Sequence, residues 1–406
     1  MSSDNPGAPR GGGLPGFYKK YAFTLWVLVA VTASMSVPGA FRSWFGTDLK
    51  VLIVPLIQII TFGMGTTLSP KDFRNVLIMP WPVFIGVALQ FIIMPLVGFT
   101  IAMTFGFPPE VAAGVILIGS VSSGVASNVM TYLAGGNVPL SVTITSMTTL
   151  LSPLVTPFWM KTLAGRLVPV DFVAMMLSIF NMIIIPIVAG LLANRLLYGT
   201  KERKRPAVFL AVSAFLYLAL GAAAAARPPS WWGGLAALKP GVFLGFLLLG
   251  LTALAKLVIG VLLKGPANWM DKALPIVSMA GICLIIAVIT AQSRDQLLSV
   301  GPLLILAAIV HNGTGYGLGY AGARLARLDE SACRAVAMEV GMQNGGMASG
   351  IAIDVLKSTN AALAPAIFGP WMNVSGSLLA GWWRRRPVRK ATDDEQAKIT
   401  RREAAS

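Results

Sequence analysis

One stretch decides the fold of this chain: Glu339-Val340-Gly341-Met342-Gln343-Asn344-Gly345-Gly346-Met347-Ala348-Ser349-Gly350. It places a carboxylate, two amides and four glycines inside a segment that is otherwise hydrophobic enough to cross a membrane. An ionisable side chain near the bilayer centre costs about 2.5–3.5 kcal/mol, so it is retained where it faces a cavity, an ion or a partner. Glycines let a helix unwind, which membranes tolerate only where the freed carbonyls face protein or a bound ion. The pattern predicts an ion site in a broken transmembrane helix, and hence a transporter.

The composition places the rest of the chain in the same class. Of the 406 residues, 55% are hydrophobic and 12% are charged, whereas soluble domains average about 25% charged residues. Segments of spanning length recur about twelve times, which predicts an all-α polytopic membrane protein that contacts the lipid bilayer along most of its length.

The net charge of +16 suggests nucleic-acid binding at first sight. The basic residues flank the predicted spans instead of forming one patch, so we expect no nucleic-acid partner. If the N-terminus is cytoplasmic, most of these basic residues lie in segments on the cytoplasmic side. Cytoplasmic segments of membrane proteins carry an excess of Lys and Arg, so we predict that both termini are cytoplasmic. Residues 1–17 lack an apolar run and are typical of a disordered tail. The absence of a transit peptide favours a bacterial cytoplasmic membrane.

An internal repeat relates the two halves of the chain. At one constant offset, Gln90 matches Asn312, Lys50 matches Lys272, and residues 124–127 match residues 346–349. An odd number of predicted spans separates the matched segments, so the copies have opposite orientations. Inverted repeats are typical of secondary transporters, which bind their cargo at the midplane between broken helices.

Polar side chains gather on the spans that this repeat brings together. All of them are oxygen ligands or amides, without thiols or imidazoles, which suits hard cations. Ser141 and Thr145 are four residues apart, so their hydroxyls share one helix face. One carboxylate among neutral oxygens suits a monovalent ion, and sodium is the natural choice. The set comprises Gln90, Ser122, Ser123, Ser127, Asn128, Ser141, Thr145, Glu339, Gln343 and Asn344.

The motifs at these positions resemble those of the bile acid:sodium symporter family. The resemblance rests on residues 126–134, on residues 339–344 and on residues 373–379. It extends from about Tyr21 to Arg195 and from Ala273 to Trp383. The chain is therefore identified as similar to sodium-coupled symporters of organic anions.

The resemblance implies a fold, two sodium sites and a substrate site. The fold would have ten helices in two inverted repeats, with a panel domain, a core domain and two broken crossing helices. An organic monoanion, such as a bile acid, pantoate or a keto acid, would lie beside Asn344 and Asn373. The first sodium site would use Ser127, Asn128, Ser141, Thr145 and Glu339, and the second would use Gln90, Glu339, Gln343 and the carbonyls of Val340 and Met342.

Two departures from the family pattern stand out. Residues 205–263 form an added two-helix hairpin, which raises the expected count from ten spans to about twelve. Met372 occupies the position before Asn373 where some relatives carry histidine, so bile acids themselves are not assigned as substrate. The predicted organisation is a tail (1–17), first panel helices (18–70), first core repeat (71–165), a panel helix (168–196), the hairpin (205–263), a panel helix (270–293), second core repeat (298–384) and a basic cytoplasmic tail (385–406).

Other functions remain open from the sequence. A sodium/proton antiporter shares inverted topology but usually carries several acids at the midplane, where this chain offers Glu339 alone. Arsenite efflux in a related fold would be expected to use a thiol in the fourth helix, which has none here. A receptor or scaffold without transport would not need a full set of ion ligands. Nothing in the motifs indicates an enzyme.

Overall fold

The structure is a computed structural model that describes residues 14–68, 70–198, 207–226, 237–264 and 269–386. Within these ranges the chain is almost entirely helical, apart from a hairpin of strands β1 (Ser43–Trp44) and β2 (Thr47–Asp48). The predicted all-α class is therefore confirmed.

The helices follow one another with short connections. In chain order they are α1 (Leu14–Ser36), α2 (Gly39–Arg42), α3 (Ile53–Thr67), α4 (Pro70–Ile78), α5 (Pro80–Thr104), α6 (Pro109–Ser120), α7 (Ala126–Leu133), α8 (Val138–Trp159), α9 (Phe172–Ile179), α10 (Ile185–Tyr198), α11 (Ala207–Ala225), α12 (Lys239–Ala255), α13 (Trp269–Gln292), α14 (Arg294–Leu325), α15 (Glu330–Gly341), α16 (Gly345–Asp354) and α17 (Thr359–Arg384). A 3-10 turn (Leu49–Leu52) precedes α3, and π-helical segments follow α8, α9 and α12 (Met160–Ala164, Phe180–Ile184 and Lys256–Leu262).

Seven helical segments in the described part of the chain are long and apolar enough to cross a membrane. Three shorter apolar helices accompany them: Leu25–Ser36, Pro109–Ser120 and Ile276–Gln292. Two of the apolar segments that the sequence predicts as spans, residues 110–134 and 335–356, are each divided into two helices, so neither half reaches spanning length alone. The count of about twelve spans remains a prediction.

Two groups of helices with the same order pack together. Each has a long helix, a broken pair and a second long helix: α5, α6–α7 and α8, then α14, α15–α16 and α17. Helix α14 packs on α5 and α15, and α17 packs on α6 and α16. We call these eight helices the core unit. Asn137 begins α8 by accepting from the N–H of Leu140 at 3.0 Å, and Ser358 begins α17 by accepting from Ala361 at 3.1 Å.

A second group, here called the panel unit, comprises α1, α3, α9, α10 and α13. Helices α3 and α10 approach so closely that a Cβ on Gly190 would overlap the carbonyl oxygen of Phe62. A Cβ on Gly65 would likewise overlap the carbonyl oxygen of Ile187. Both positions require glycine because backbone meets backbone there.

The added hairpin docks on the panel unit. Helices α11 and α12 pack on each other, and α12 packs on α10 and α3. The N–H of Gly241 donates to Oδ1 of Asn181 at 2.5 Å, and Nζ of Lys256 donates to the carbonyl of Leu196 at 2.6 Å. The hairpin therefore adds two helices to one side of the panel unit. Its loop, residues 227–236, lies outside the described residues.

The structure differs from the expected boundaries at several places. Helix α1 begins at Leu14, so the end of the tail predicted for residues 1–17 is helical. Helices α2 and α4 and the β hairpin are additional elements for which we made no prediction from the sequence. Residues 387–406 of the predicted basic tail lie outside the described residues. The division into panel and core domains remains a prediction.

Candidate functional site

The two helix breaks meet in the middle of the core unit. Residues 121–125 separate α6 from α7, and residues 342–344 separate α15 from α16. Ser123 and Gln343 form an antiparallel β-bridge, and the N–H of Gly124 donates to the carbonyl of Met342 at 2.9 Å. Each break thus satisfies backbone groups that the other leaves free, which a membrane interior demands.

At this crossing, four hydroxyl groups surround the carboxylate of Glu339, and we call them the hydroxyl cage. Its side chain is fully buried. Ser127 and Ser141 each donate to Oε1 at 2.5 Å, while Ser123 and Thr145 donate to Oε2 at 2.5 and 2.8 Å. Four donors from α7, α8 and the break before α7 therefore converge on one carboxylate.

Asn128 completes this group. Its Oδ1 lies 2.8 Å from the hydroxyl of Ser141 and 3.3 Å from that of Thr145, and each hydroxyl has one proton to share between Asn128 and Glu339. The structure therefore brings together all five residues predicted for the first sodium site. Each hydroxyl still has lone pairs to turn toward a cation.

The charge on Glu339 has no basic partner among the described residues. The ion pairs found there are Lys50–Asp48, Arg334–Glu330 and Lys357–Asp354. Hydrogen bonds to a charged group contribute about 1.5–3 kcal/mol each, but they leave the net charge in place. A buried carboxylate is costly unless paired. The arrangement therefore fits a bound cation.

The residues predicted for the second sodium site lie at the same crossing. Gln90 donates through Nε2 to Oε1 of Gln343 and to the carbonyl of Val121, the latter at 3.1 Å. Oε1 of Gln90 is buried without a hydrogen-bond partner. The carbonyls of Val340 and Met342 already accept hydrogen bonds, at 2.5 Å from Gln343 and 2.9 Å from Gly124. Each carbonyl keeps a second lone pair for a cation.

Three residues at the crossing were absent from the predicted ligand sets. Ser123 belonged to the predicted polar cluster without a role, yet it donates directly to Glu339. Thr148 lies 3.2 Å from Ser123, and its position three residues after Thr145 was a usable signal. Asn312, known from the repeat alone, donates to the carbonyl of Gly341 at 2.8 Å and leaves Oδ1 buried and unpartnered.

A cavity of about 440 Å³ opens beside the crossing, between the core and panel units. Its walls are mostly apolar, and none of the described residues that line it is charged. Asn344 and Asn373, the predicted substrate residues, both line it. Oδ1 of Asn344 also caps α16 by accepting from the N–H of Met347 at 3.0 Å. The positive end of the α16 dipole therefore borders the cavity, which favours an anion.

Comparisons with known proteins give consistent results. The family model described as "Sodium Bile acid symporter family" matches residues 22–227. The sodium-dependent transporter YocS of Bacillus subtilis is 33% identical over 378 residues, covering 93% of this chain and 95% of YocS. The probable sodium/metabolite cotransporter BASS1, chloroplastic, of Arabidopsis thaliana is 25% identical over 372 residues, covering 92% of this chain and 75% of that protein.

A solved structure has the same general fold. The sodium proton antiporter MjNhaP1 from Methanocaldococcus jannaschii superposes with a TM-score of 0.51, over 92% of this chain and 95% of that one. The two sequences are 14% identical. At this identity the likeness concerns the fold alone.

Proposed function

This chain belongs to the sodium bile acid symporter family, and we propose that it imports an organic monoanion together with sodium ions. Its family makes it a sodium-dependent membrane transporter. The observation that carries the symport proposal is the fully buried Glu339, which four hydroxyls surround where two broken helices cross.

In this proposal one carboxylate serves two sodium ions. The first ion lies among Glu339, Asn128 and the hydroxyls of Ser127, Ser141 and Thr145. The second lies near Gln90, Gln343, Glu339 and the carbonyls of Val340 and Met342. Sodium binding orders both breaks and therefore completes the wall of the adjoining cavity. By linkage, the substrate must then tighten sodium binding by the same factor.

The substrate would occupy the cavity with its anionic group toward the N-terminus of α16. The amides of Asn344 and Asn373 offer hydrogen bonds there, and the apolar walls suit a hydrocarbon body. A carboxylate or sulfonate would also gain from the nearby sodium charges. These features support a bile acid, pantoate or a keto acid as the class of substrate.

The position of the cavity supports an alternating-access cycle. It reaches toward the membrane side where α3 ends and α13 begins, since Thr66, Thr67 and Leu274 line it. If both termini are cytoplasmic, this side is the cytoplasm and the structure is open inward. Two sodium ions moving with one monoanion carry a net charge of +1, which is worth about 2.3 kcal/mol per 100 mV of membrane potential. An inside-negative potential therefore favours import.

Uptake into proteoliposomes tests the proposal. We expect one labelled organic anion from a panel to accumulate with an inward sodium gradient, and to fail to do so with potassium in its place. Protein-free liposomes under the same gradient are the control. Sodium moving against a proton gradient, with every anion left outside, would replace symport by antiport.

Gln343→Leu should weaken binding of the second proposed sodium ion while leaving the first proposed site in place. The substitution removes an amide oxygen and a bond to Gln90 while it leaves the hydroxyl cage around Glu339 intact. We expect the sodium concentration for half-maximal uptake to rise by about 10- to 100-fold, by analogy with the loss of a metal-site contact. The Hill coefficient for sodium should fall toward one, as measured by uptake against sodium concentration. An unchanged coefficient would contradict the second site.

A further inference from the structure

A second cavity, of about 360 Å³, lies between the end of α14, the start of α15 and the end of α17. It is separate from the crossing site and shares no lining residue with the cavity described above. Its walls are aromatic and basic, and the residues that matter are Tyr316, Tyr320, Arg334, Trp382, Trp383 and Arg386.

The cavity carries excess positive charge. Glu330, its acidic lining residue, is already engaged: Nε of Arg334 donates to it at 2.8 Å, and the hydroxyl of Tyr320 donates at 2.6 Å. The guanidinium of Arg386 lies 4.2 Å from the centre of the Trp382 ring. No carboxylate among the described residues pairs with Arg386. Its planar set of N–H donors therefore remains available to an anion.

Gly317 of α14 also lines this cavity. Gly315 and Gly319 pack inward, since a Cβ on them would lie 2.8 Å from Met94 and 2.9 Å from Val340. Gly313 and Gly317 point the other way, and a Cβ on either would meet nothing within 4 Å. These two exposed glycines, four residues apart, put no side chain on this face of α14, and we call this face the groove. Trp382 stands at the mouth with 48% of its surface exposed.

We propose that this cavity binds the phosphodiester headgroup of an anionic phospholipid, with one acyl chain along the groove at Gly313 and Gly317. Arginine recognises phosphate through paired N–H donors. Tryptophan and tyrosine favour the level of lipid headgroups, and basic pockets between membrane helices on the cytoplasmic side suit anionic lipids. The inference rests on the chain's lying in a membrane and is independent of symport.

The bound lipid would stabilise the core unit through the hydrogen bonds of Arg334. This buried side chain donates to the carbonyl of Arg386 at 2.8 Å and to the carbonyl of Ala134, which ends α7, also at 2.8 Å. Helix α7 carries Ser127 and Asn128 of the crossing. A headgroup that orders the end of α17 at Arg386 therefore also stabilises the position of α7, which carries these proposed ion ligands.

Lipid binding to the purified full-length chain in neutral detergent tests the headgroup. Native mass spectrometry measures binding of phosphatidylglycerol and of phosphatidylcholine. We expect Arg386→Gln to weaken phosphatidylglycerol binding by about tenfold, the size of one charge-assisted contact. Arg384→Gln is the matched control, because Arg384 is exposed on the same helix end and does not line the cavity. Equal losses in both variants would overturn the proposal in favour of diffuse surface charge.

A second pair of variants tests the acyl chain. Gly317→Leu fills the groove on α14, whereas Gly381→Leu adds the same bulk at a position on α17 that has open space around it. We expect only Gly317→Leu to weaken phosphatidylglycerol binding, by about fifteenfold, as the loss of two buried methylenes predicts. Inorganic phosphate should compete poorly. Full displacement by phosphate, with Gly317→Leu without effect, would show a small-anion site and overturn the lipid assignment.

Discussion

Glu339→Gln should reduce sodium-driven uptake of the transported anion by at least about 100-fold. The amide keeps the shape of the side chain but removes the single buried charge that faces the proposed ions. Losing one partner of a buried charge pair costs about 3 kcal/mol or more, and every 1.4 kcal/mol is a factor of ten in affinity. The measurement is the initial rate of uptake into proteoliposomes across a range of inward sodium gradients.

Asp295→Asn is the matched control for this prediction. It makes the same carboxylate-to-amide change at an exposed position in the first turn of α14, so uptake should stay near the wild-type rate. A thermal unfolding assay adds a readout that needs no substrate. Sodium should raise the melting temperature of the wild type and of Asp295→Asn but not that of Glu339→Gln. Wild-type uptake by Glu339→Gln would refute the assigned role.

Gly350→Val should destabilise the conformation seen in this structure relative to the other conformation of the transport cycle. Helix α16 of the core unit packs on the panel unit at Gly350, next to Ser349 and Ile57, which line the cavity of about 440 Å³. A Cβ there would lie 2.6 Å from Cδ1 of Ile57 and 2.9 Å from Sδ of Met182, both buried. Overpacking costs about 1–3 kcal/mol, which shifts a two-state equilibrium by about 5- to 150-fold. We expect transport to slow because the conformation seen here, which we propose is open inward, becomes scarce.

Chemical labelling reports this shift. Ser349→Cys places a thiol on the wall of the cavity, and we expect a membrane-impermeant maleimide to reach it from the cytoplasmic side less readily when Gly350→Val is added. Ile57→Ala makes room for the new methyl groups and should restore both labelling and uptake. Gly381→Val, at a site with open space, controls for valine in a helix. Unchanged labelling with Gly350→Val would mean that this contact does not gate access.

Much of the fold class follows from local sequence. The apolar segments identify an all-α membrane protein because a span needs about 20 apolar residues. The glycines around Gln343 predict a broken helix because glycine tolerates unwinding. Ser141 and Thr145 share a face because four residues make about one helical turn. The residue types of this set also indicate a hard cation, since all of them offer oxygen ligands.

Sequence patterns mislead where they count a break as a continuous span. Residues 110–134 and 335–356 are apolar enough overall for hydropathy to count each as one helix, although Glu339 and Gln343 interrupt the second. The structure divides each into two short helices because the two breaks bond to each other through Ser123 and Gln343. Local periodicity contains no information about a partner more than 200 residues away.

By itself the sequence determined the class of protein, the residue types of the proposed ion site and the sets of residues that share one helix face. Only the tertiary structure decided that Ser123 joins Ser127, Ser141 and Thr145 around Glu339, that Arg334 ties α7 to the end of α17, and that α16 borders a cavity. The physical reason is that helical spacing is a property of neighbours along the chain. The meeting of helix faces depends instead on close backbone packing between helices distant in sequence, as at Gly65 and Gly190.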